Sequence, residues 1–323
     1  MLPRSRILSA FLLGLGCALI AAGLLMPRVF STQTVLPMAA EKGLSWVLTD
    51  PAGKAGSVAE NFAELHTDGV QKRLHITLEE PANADTVTAR AGYALLRTGS
   101  GPEAENLLHA EVWSYLLDRA TGIPRGVTRV SNQIASPPQD LNLEAPWWFF
   151  ERGALAAPEL NIVDPDLHTA MPAQRQGEEL RGGREVVHYR QEYAPVIMAQ
   201  YGPVFMGQTH ISTDSTSTPR LAYLYQEARR DFYIDKASGL LIDLQEQSHR
   251  FYGTGEGENL QEVLVFAGKL DAHNQLELQQ AAADIAATRL VDFWPAATTG
   301  AGVIIGILAL IGVITGFGRK RQN

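Results

Sequence analysis

Cysteine is nearly missing from this chain: one residue in 323, Cys17, inside an apolar run. The rest of the sequence therefore has neither a disulfide nor a thiol nucleophile, and its stability must come from an ordinary core. Catalytic signatures are missing too. There is no His-Glu-x-x-His, no Gly-x-Ser-x-Gly and no pair of cysteines, and the neighbouring acids Glu256 and Glu258 sit in a Gly-rich turn. His66 and His75 are the first metal candidates, but no clustered carboxylates accompany them. The expectation is a protein with no metal, no cofactor and no enzymatic activity. Basic residues are in the minority, 27 Lys+Arg against 35 Asp+Glu, for a net charge of −8 at pH 7. That balance argues against nucleic acid as a partner.

Charge is absent altogether from two stretches near the ends, Ile7–Met26 and Ala296–Phe317. At ~1.5 Å per residue, the first reaches ~30 Å, the thickness of a bilayer's hydrocarbon core. The runs predict two transmembrane helices, at 7–26 and 296–318, with tails at 1–6 and 319–323. Arg4 and Arg6 precede the first run; Arg319, Lys320 and Arg321 follow the second, leaving a net charge of −13 between the runs. Basic flanks mark the cytoplasmic side, so the expectation is a two-pass cell-membrane protein with both termini cytoplasmic and a large extracytoplasmic domain. A signal peptide is the rival for the first run, but no clean Ala-x-Ala site follows it. Small residues recur at four-residue spacing in Gly14, Ala18 and Ala22, in Gly302 and Gly306, and in Gly312 and Gly316. They read as helix-packing faces, or simply as residues common in membrane helices.

The stretch 27–295 reads as a β-rich α+β domain of antiparallel sheets, divisible into two related lobes at 31–145 and 146–274, with a helix at 275–292. Leu44–Leu48 is a short strand ending in a Thr49–Gly53 turn. Leu74, Ile76 and Leu78 alternate with His75 and Thr77, a strand with one buried face. Asp85–Arg97, Glu185–Tyr193 and Glu262–Leu270 also read as strands; Asp164–Asp166 is a turn rather than a cation site, Glu178–Gly183 a polar connection and Thr213–Pro219 a loop. Asn274 as N-cap with Glu277 three residues on resembles a capping box.

Two segments echo each other. Trp113–Gly126 (WSYLLDRATGIPRG) and Phe232–Ile242 (FYIDKASGLLI) share the order aromatic, Asp, basic, Ala, Thr or Ser, Gly, apolar. Each has the chemistry of a hairpin turn. Asp118 or Asp235 accepts from turn amides, Thr121 or Ser238 does likewise, and Gly122 or Gly239 supplies positive φ. The recurrence fits a divergent duplication framing a shared cleft, or two ordinary hairpins. Between them stands Pro146-Trp147-Trp148-Phe149-Phe150. Four consecutive aromatics on a strand face both ways, so some meet a second apolar surface. That surface is another sheet, a bound acyl chain or a membrane interface. Trp147, Trp148, Phe149 and Phe150, with Trp113 and Tyr115, are the candidate lipid contacts.

The order of these features resembles the actinobacterial envelope family known as porin PorA, of which the polar growth factor PgfA is a member. The matching pieces are the N-terminal apolar run followed by a Pro-bearing extended segment, Asp118–Gly122, Tyr233–Ile242 and the Gly-rich C-terminal run after an aromatic-Pro junction. Pro146–Phe150 departs from the Phe-Pro-Phe-like segment of that family. The resemblance implies an envelope accessory protein that binds or hands over a trehalose mycolate-like lipid. Its implied partners are an inner-membrane lipid transporter or envelope-assembly proteins. The alternative is a non-enzymatic scaffold with no lipid ligand. A pore is not expected, because two apolar helices cannot line one and no ~10-residue alternating strands of a closed barrel are evident.

Overall fold

A computed structural model gives the fold and describes residues 4–29, 35–37, 43–56, 65–99, 102–132, 137–202, 207–212, 218–287 and 290–318. The chain divides into two compact units. One is Met1–Thr34 with Ile285–Asn323, and the other is Val35–Asp284.

The first unit pairs α1 (Arg4–Val29) with α4 (Leu290–Gly318). Both apolar runs are helical, as expected, but the expected spans are corrected. Among the described residues, no helix is long and apolar enough to cross a membrane. The architecture of two transmembrane helices bracketing an α+β domain, and the two-pass placement with cytoplasmic termini, therefore do not stand. The packing face also differs. A Cβ on Gly16 would lie 2.9 Å from the Gly302 carbonyl oxygen and 3.0 Å from the Gly306 nitrogen, whereas Gly14 has nothing within 4 Å. Gly14, Ala18 and Ala22 are exposed and Gly16 is buried. Two positions along a helix are ~200° apart, so Gly16 meets Gly302 while Gly14 lies on the other side of α1. Gly312 and Gly316 lie outside the residues whose packing is described. Phe11, Leu24, Ile304 and Leu308 are more than half exposed, an apolar surface of the kind that a partner or lipid covers.

The second unit is mostly one antiparallel sheet, built from two six-strand meanders. The first meander runs β1 (Leu44–Asp50), β4 (Val70–Ala82), β5 (Thr86–Arg97), β6 (Leu107–Asp118), β7 (Pro124–Ser131) and β8 (Gln139–Asn142). Short strands β2 (Lys54–Gly56) and β3 (Leu65–His66) follow β1, and the one-turn α2 (Glu103–Asn106) precedes β6. The second meander runs β9 (Glu159–Asp164), β10 (Thr169–Arg181), β11 (Arg184–Ile197), β13 (Arg220–Asp235), β14 (Leu241–Gly253) and β15 (Asn259–Leu270). A short β12 (Gln208–Ile211) pairs with β13. The meanders join where β1, the first strand of one, pairs with β15, the last strand of the other, at Leu48 opposite Leu270. One sheet thus runs through both expected lobes.

Alternation sets the inner face. On β4, Val70, Leu74, Ile76 and Leu78 are buried while His75 is exposed, as the period-2 pattern predicts. Glu178–Gly183 is not a polar connection: β10 continues to Arg181 and turns at Gly182 and Gly183. Long strands do tile the chain after all, with several of 12 to 16 residues. Helix α3 (Ala272–Ala287) starts earlier than expected because Asp271, not Asn274, caps it. The Asn274 amide donates to Asp271 Oδ1 at 2.8 Å, and the Asn274 side chain accepts from the Val47 amide of β1 at 2.9 Å.

Candidate functional site

The two echoing turns form as their residue types require and occupy the same place, between the fourth and fifth strands of each meander. Asp118 Oδ1 accepts from the Ala120 and Thr121 amides at 2.9 Å, and the Gly122 amide closes back on the Asp118 carbonyl at 2.9 Å. In the second turn, Asp235 Oδ2 accepts from the Ser238 amide and hydroxyl at 2.8 and 2.7 Å, and the Gly239 amide closes on the Asp235 carbonyl at 2.8 Å. Gly122 and Gly239 have φ of +73° and +81°. Each aspartate is also gripped by an arginine, Arg125 or Arg184. Burial works against the Asp118 carboxylate, yet the turn amides and Arg125 hold its pKa below the ordinary value.

The aromatic segment is wedged between these turns. The Phe150 amide donates to the Gly239 carbonyl at 2.8 Å and the Leu241 amide to the Trp148 carbonyl at 2.9 Å. A Cβ on Gly122 would sit 1.9 Å from the Phe149 carbonyl oxygen, and one on Gly239 2.0 Å from that of Phe150. Trp147, Trp148, Phe149 and Phe150 are all buried, along with Trp113 and Tyr115. Trp148 Nε1 donates to the Tyr115 hydroxyl at 3.0 Å, Trp46 Nε1 donates to the Leu241 carbonyl at 3.0 Å, and Trp113 lies 5.1 Å from Trp147. The second apolar surface these aromatics meet is therefore the inner face of the protein's own sheet. The cavity lined by Trp46, Tyr93 and Trp147 measures about 30 Å³, room for roughly two waters. These six candidate lipid contacts are brought together, but as core.

That cavity borders a buried ionic cluster. Lys72 Nζ donates to Asp166 and Glu246 at 2.9 and 2.6 Å; Arg230 contacts Asp164, Asp166 at 2.8 Å and Glu246; and Arg250 reaches Asp166 at 3.0 Å. Three cations thus face three carboxylates in the core. Burial opposes ionisation of Asp166, but Lys72, Arg250 and Arg230 outweigh it and hold its pKa well below the ordinary value. The sequence reading missed this cluster, although Lys72 shares the apolar face of Val70, Leu74 and Ile76, a signal in itself.

The outward face of the second meander carries a different feature, a groove of about 390 Å³ across β11, β13, β14 and β15. Cross-strand neighbours build it: Glu192 stands opposite Arg229, Arg229 opposite Gln247, and Glu227 opposite His249. Ala267 and the exposed Val265 add apolar side chains to the lining, while Ala228 and Ser248, between outward positions on their strands, turn their side chains to the inner face. A recess of about 120 Å³ sharing Arg229 and Gln247 extends it toward Asp231 and Lys269. Opposite charges accompany each other along the groove, Glu192 and Glu227 with Arg229 and His249. Arg229 Nε is buried with no hydrogen-bond partner among the described residues, Asp231 Oδ2 standing 3.6 Å away, and such a group calls for one. The groove escaped the sequence reading because its lining comes from four strands spread over residues 192–267.

His75 Nδ1 lies 2.7 Å from the Ser45 hydroxyl, and His66 of β3 stands opposite Ala55 of β2 in the ladder. Part of the Thr213–Pro219 loop, residues 213–217, lies outside the described residues. No curated protein matches the chain, and the likeness to PgfA is not shown. Neither the geometry nor the comparisons support lipid transport. What does match is the porin PorA family, over residues 8–313. With nearly its whole length matched, the chain belongs to the porin PorA family, and so with proteins of the cell envelope.

Proposed function

We propose that this is a non-enzymatic accessory protein of the envelope that recognises the sugar head group of an envelope glycolipid in the outward groove. The observation that carries this reading is the contrast in size and chemistry between the two hollows. The groove, at about 390 Å³, falls in the ~300–1,000 Å³ range of small-molecule sites, whereas the cavity among the aromatics, at about 30 Å³, is far below it. Balanced charge leaves no strong field for an ion. Planar donors and acceptors on Arg229, Gln247 and Glu227 suit adjacent hydroxyls.

A pore is a poorer fit despite the family's name. Outward positions on the sheet carry Arg73, Arg90, Arg190, Arg229 and Asp231, where a membrane barrel presents an apolar band. Envelope-assembly proteins remain the partners this reading suits, and the exposed apolar side chains of α1 and α4 suit attachment to one of them.

The test is calorimetric titration of the full-length protein with trehalose, with a trehalose glycolipid and with a free fatty acid. The sugar and the glycolipid should bind, and Arg229→Ala with Gln247→Ala should weaken both by about tenfold or more, since hydrogen bonds to charged groups are worth ~1.5–3 kcal/mol. Binding of the fatty acid alone, untouched by the groove variants, would overturn the proposal. Binding of none of them would put the ligand-free scaffold ahead.

A further inference from the structure

Both ring nitrogens of His249 face carboxylates. Nδ1 lies 2.8 Å from Glu227 Oε1 on β13, and Nε2 contacts Glu262 Oε2 on β15. An ionised carboxylate only accepts, and a neutral imidazole has only one N–H, so two such contacts are satisfied together only by the doubly protonated ring. The ring is also stacked. It lies 5.0 Å from Phe251, which lies 5.2 Å from Tyr225 in a nearly parallel pair, a favourable bed for a cation. His249 therefore ties β13 to β15 across β14, and Glu227 and His249 both line the groove.

We infer that Glu227, His249 and Glu262 form an imidazolium clamp that holds the groove wall, and that losing one ring proton loosens the wall and weakens whatever the groove binds. With a neutral ring, one nitrogen lone pair faces a carboxylate, and that contact turns from attraction to repulsion. The charged groups surrounding the ring are Glu227 and Arg229 on β13, Glu192 on β11, Glu262 on β15 and Lys54 of β2, which stands opposite Val265. Asn259 Nδ2 steadies Glu262 at 2.6 Å. Burial disfavours the charged ring, but the hydrogen bonds of Glu227 and Glu262 outweigh it and raise the pKa of His249 above its ordinary value. With both glutamates ionised, a raised value means the clamp is whole below the ordinary histidine value and opens as pH rises through the folded one.

The consequence for binding rests on the head-group reading above, whereas the state of the ring does not. The experiment is a pH titration of the histidine ring signals of the full-length protein by NMR, with His249 assigned through His249→Gln. His249 should keep its second proton at a pH where the histidine of a short unstructured peptide has lost it, and Glu262→Gln should bring its midpoint down toward that of the peptide. Trehalose affinity should fall severalfold as pH rises through the His249 midpoint, and His249→Gln should flatten that dependence. If His249 titrates together with the peptide histidine, the clamp is overturned whether or not a sugar binds. A high midpoint with pH-independent trehalose affinity overturns the control of binding. If trehalose does not bind at all, the head-group reading has failed, and the ring titration and the Glu262→Gln shift alone decide whether the clamp exists.

Discussion

Gly122→Ala should destabilise the protein by ~3–5 kcal/mol, and Gly239→Ala by a similar amount. Two costs add at each position. A φ of +73° or +81° is strained for any residue with a Cβ, at ~1–3 kcal/mol. The new methyl group would also meet the carbonyl oxygen of Phe149 at 1.9 Å or of Phe150 at 2.0 Å. Backbone cannot swing aside as a side chain can, so the aromatic segment itself must shift, at a typical overpacking cost of ~1–3 kcal/mol. Gly126 provides the control, because its φ is +75° but nothing lies within 4 Å of its added Cβ. Gly126→Ala should show the conformational cost alone. Chemical denaturation of the three variants separates the contributions. Equal losses at Gly122 and Gly126 would mean that the turn does not abut the aromatic segment.

Arg230→Met should cost ~3–5 kcal/mol at neutral pH, the usual penalty for removing one partner from a buried ion pair. Methionine matches much of the arginine stem but leaves Asp164, Asp166 and Glu246 with only Lys72 and Arg250 among them. The pH dependence is a sharper test than the magnitude. In the wild type, burial works against ionisation of Asp166 and Glu246, yet the neighbouring cations hold both below their ordinary values. A depressed carboxylate stabilises the fold above its unfolded value of ~4, and that stability is lost as pH falls through the folded value. Wild-type stability from this cluster should therefore persist from pH 7 down to about 4 and decline only in stronger acid. In Arg230→Met, the carboxylates lose a cation and their affinity for protons rises, so the deficit relative to wild type should shrink on acidification. Urea melts of both proteins across that range check this. A deficit that stays constant with pH would mean the arginine matters for packing alone.

Local chemistry was legible in the sequence, and long-range pairing was not. The Asp118 and Asp235 turns could be read because every bond they need lies within a few residues. Trp147–Phe150 could be recognised as needing two apolar surfaces, but its partners, Trp46, Trp113 and Gly239, lie tens of residues away. Nothing local marks the pairing of β1 with β15 that merges two expected lobes into one sheet. The apolar runs announced helices, and small-residue spacing announced a close helix contact. Which glycine faced the partner depended on a phase that composition does not carry. Lys72, sitting on an apolar stripe, was the one available hint of the ionic cluster.

The central claim is that ligand recognition belongs to the outward groove, with the aromatic segment as core. Hydrogen–deuterium exchange of the full-length protein, with and without a trehalose glycolipid, addresses it directly. The prediction is added protection in the groove strands around residues 227–229, 247–249 and 265–267, with residues 113–115 and 147–150 already protected and unchanged. Protection gained at 147–150 with the groove strands unaffected would contradict it.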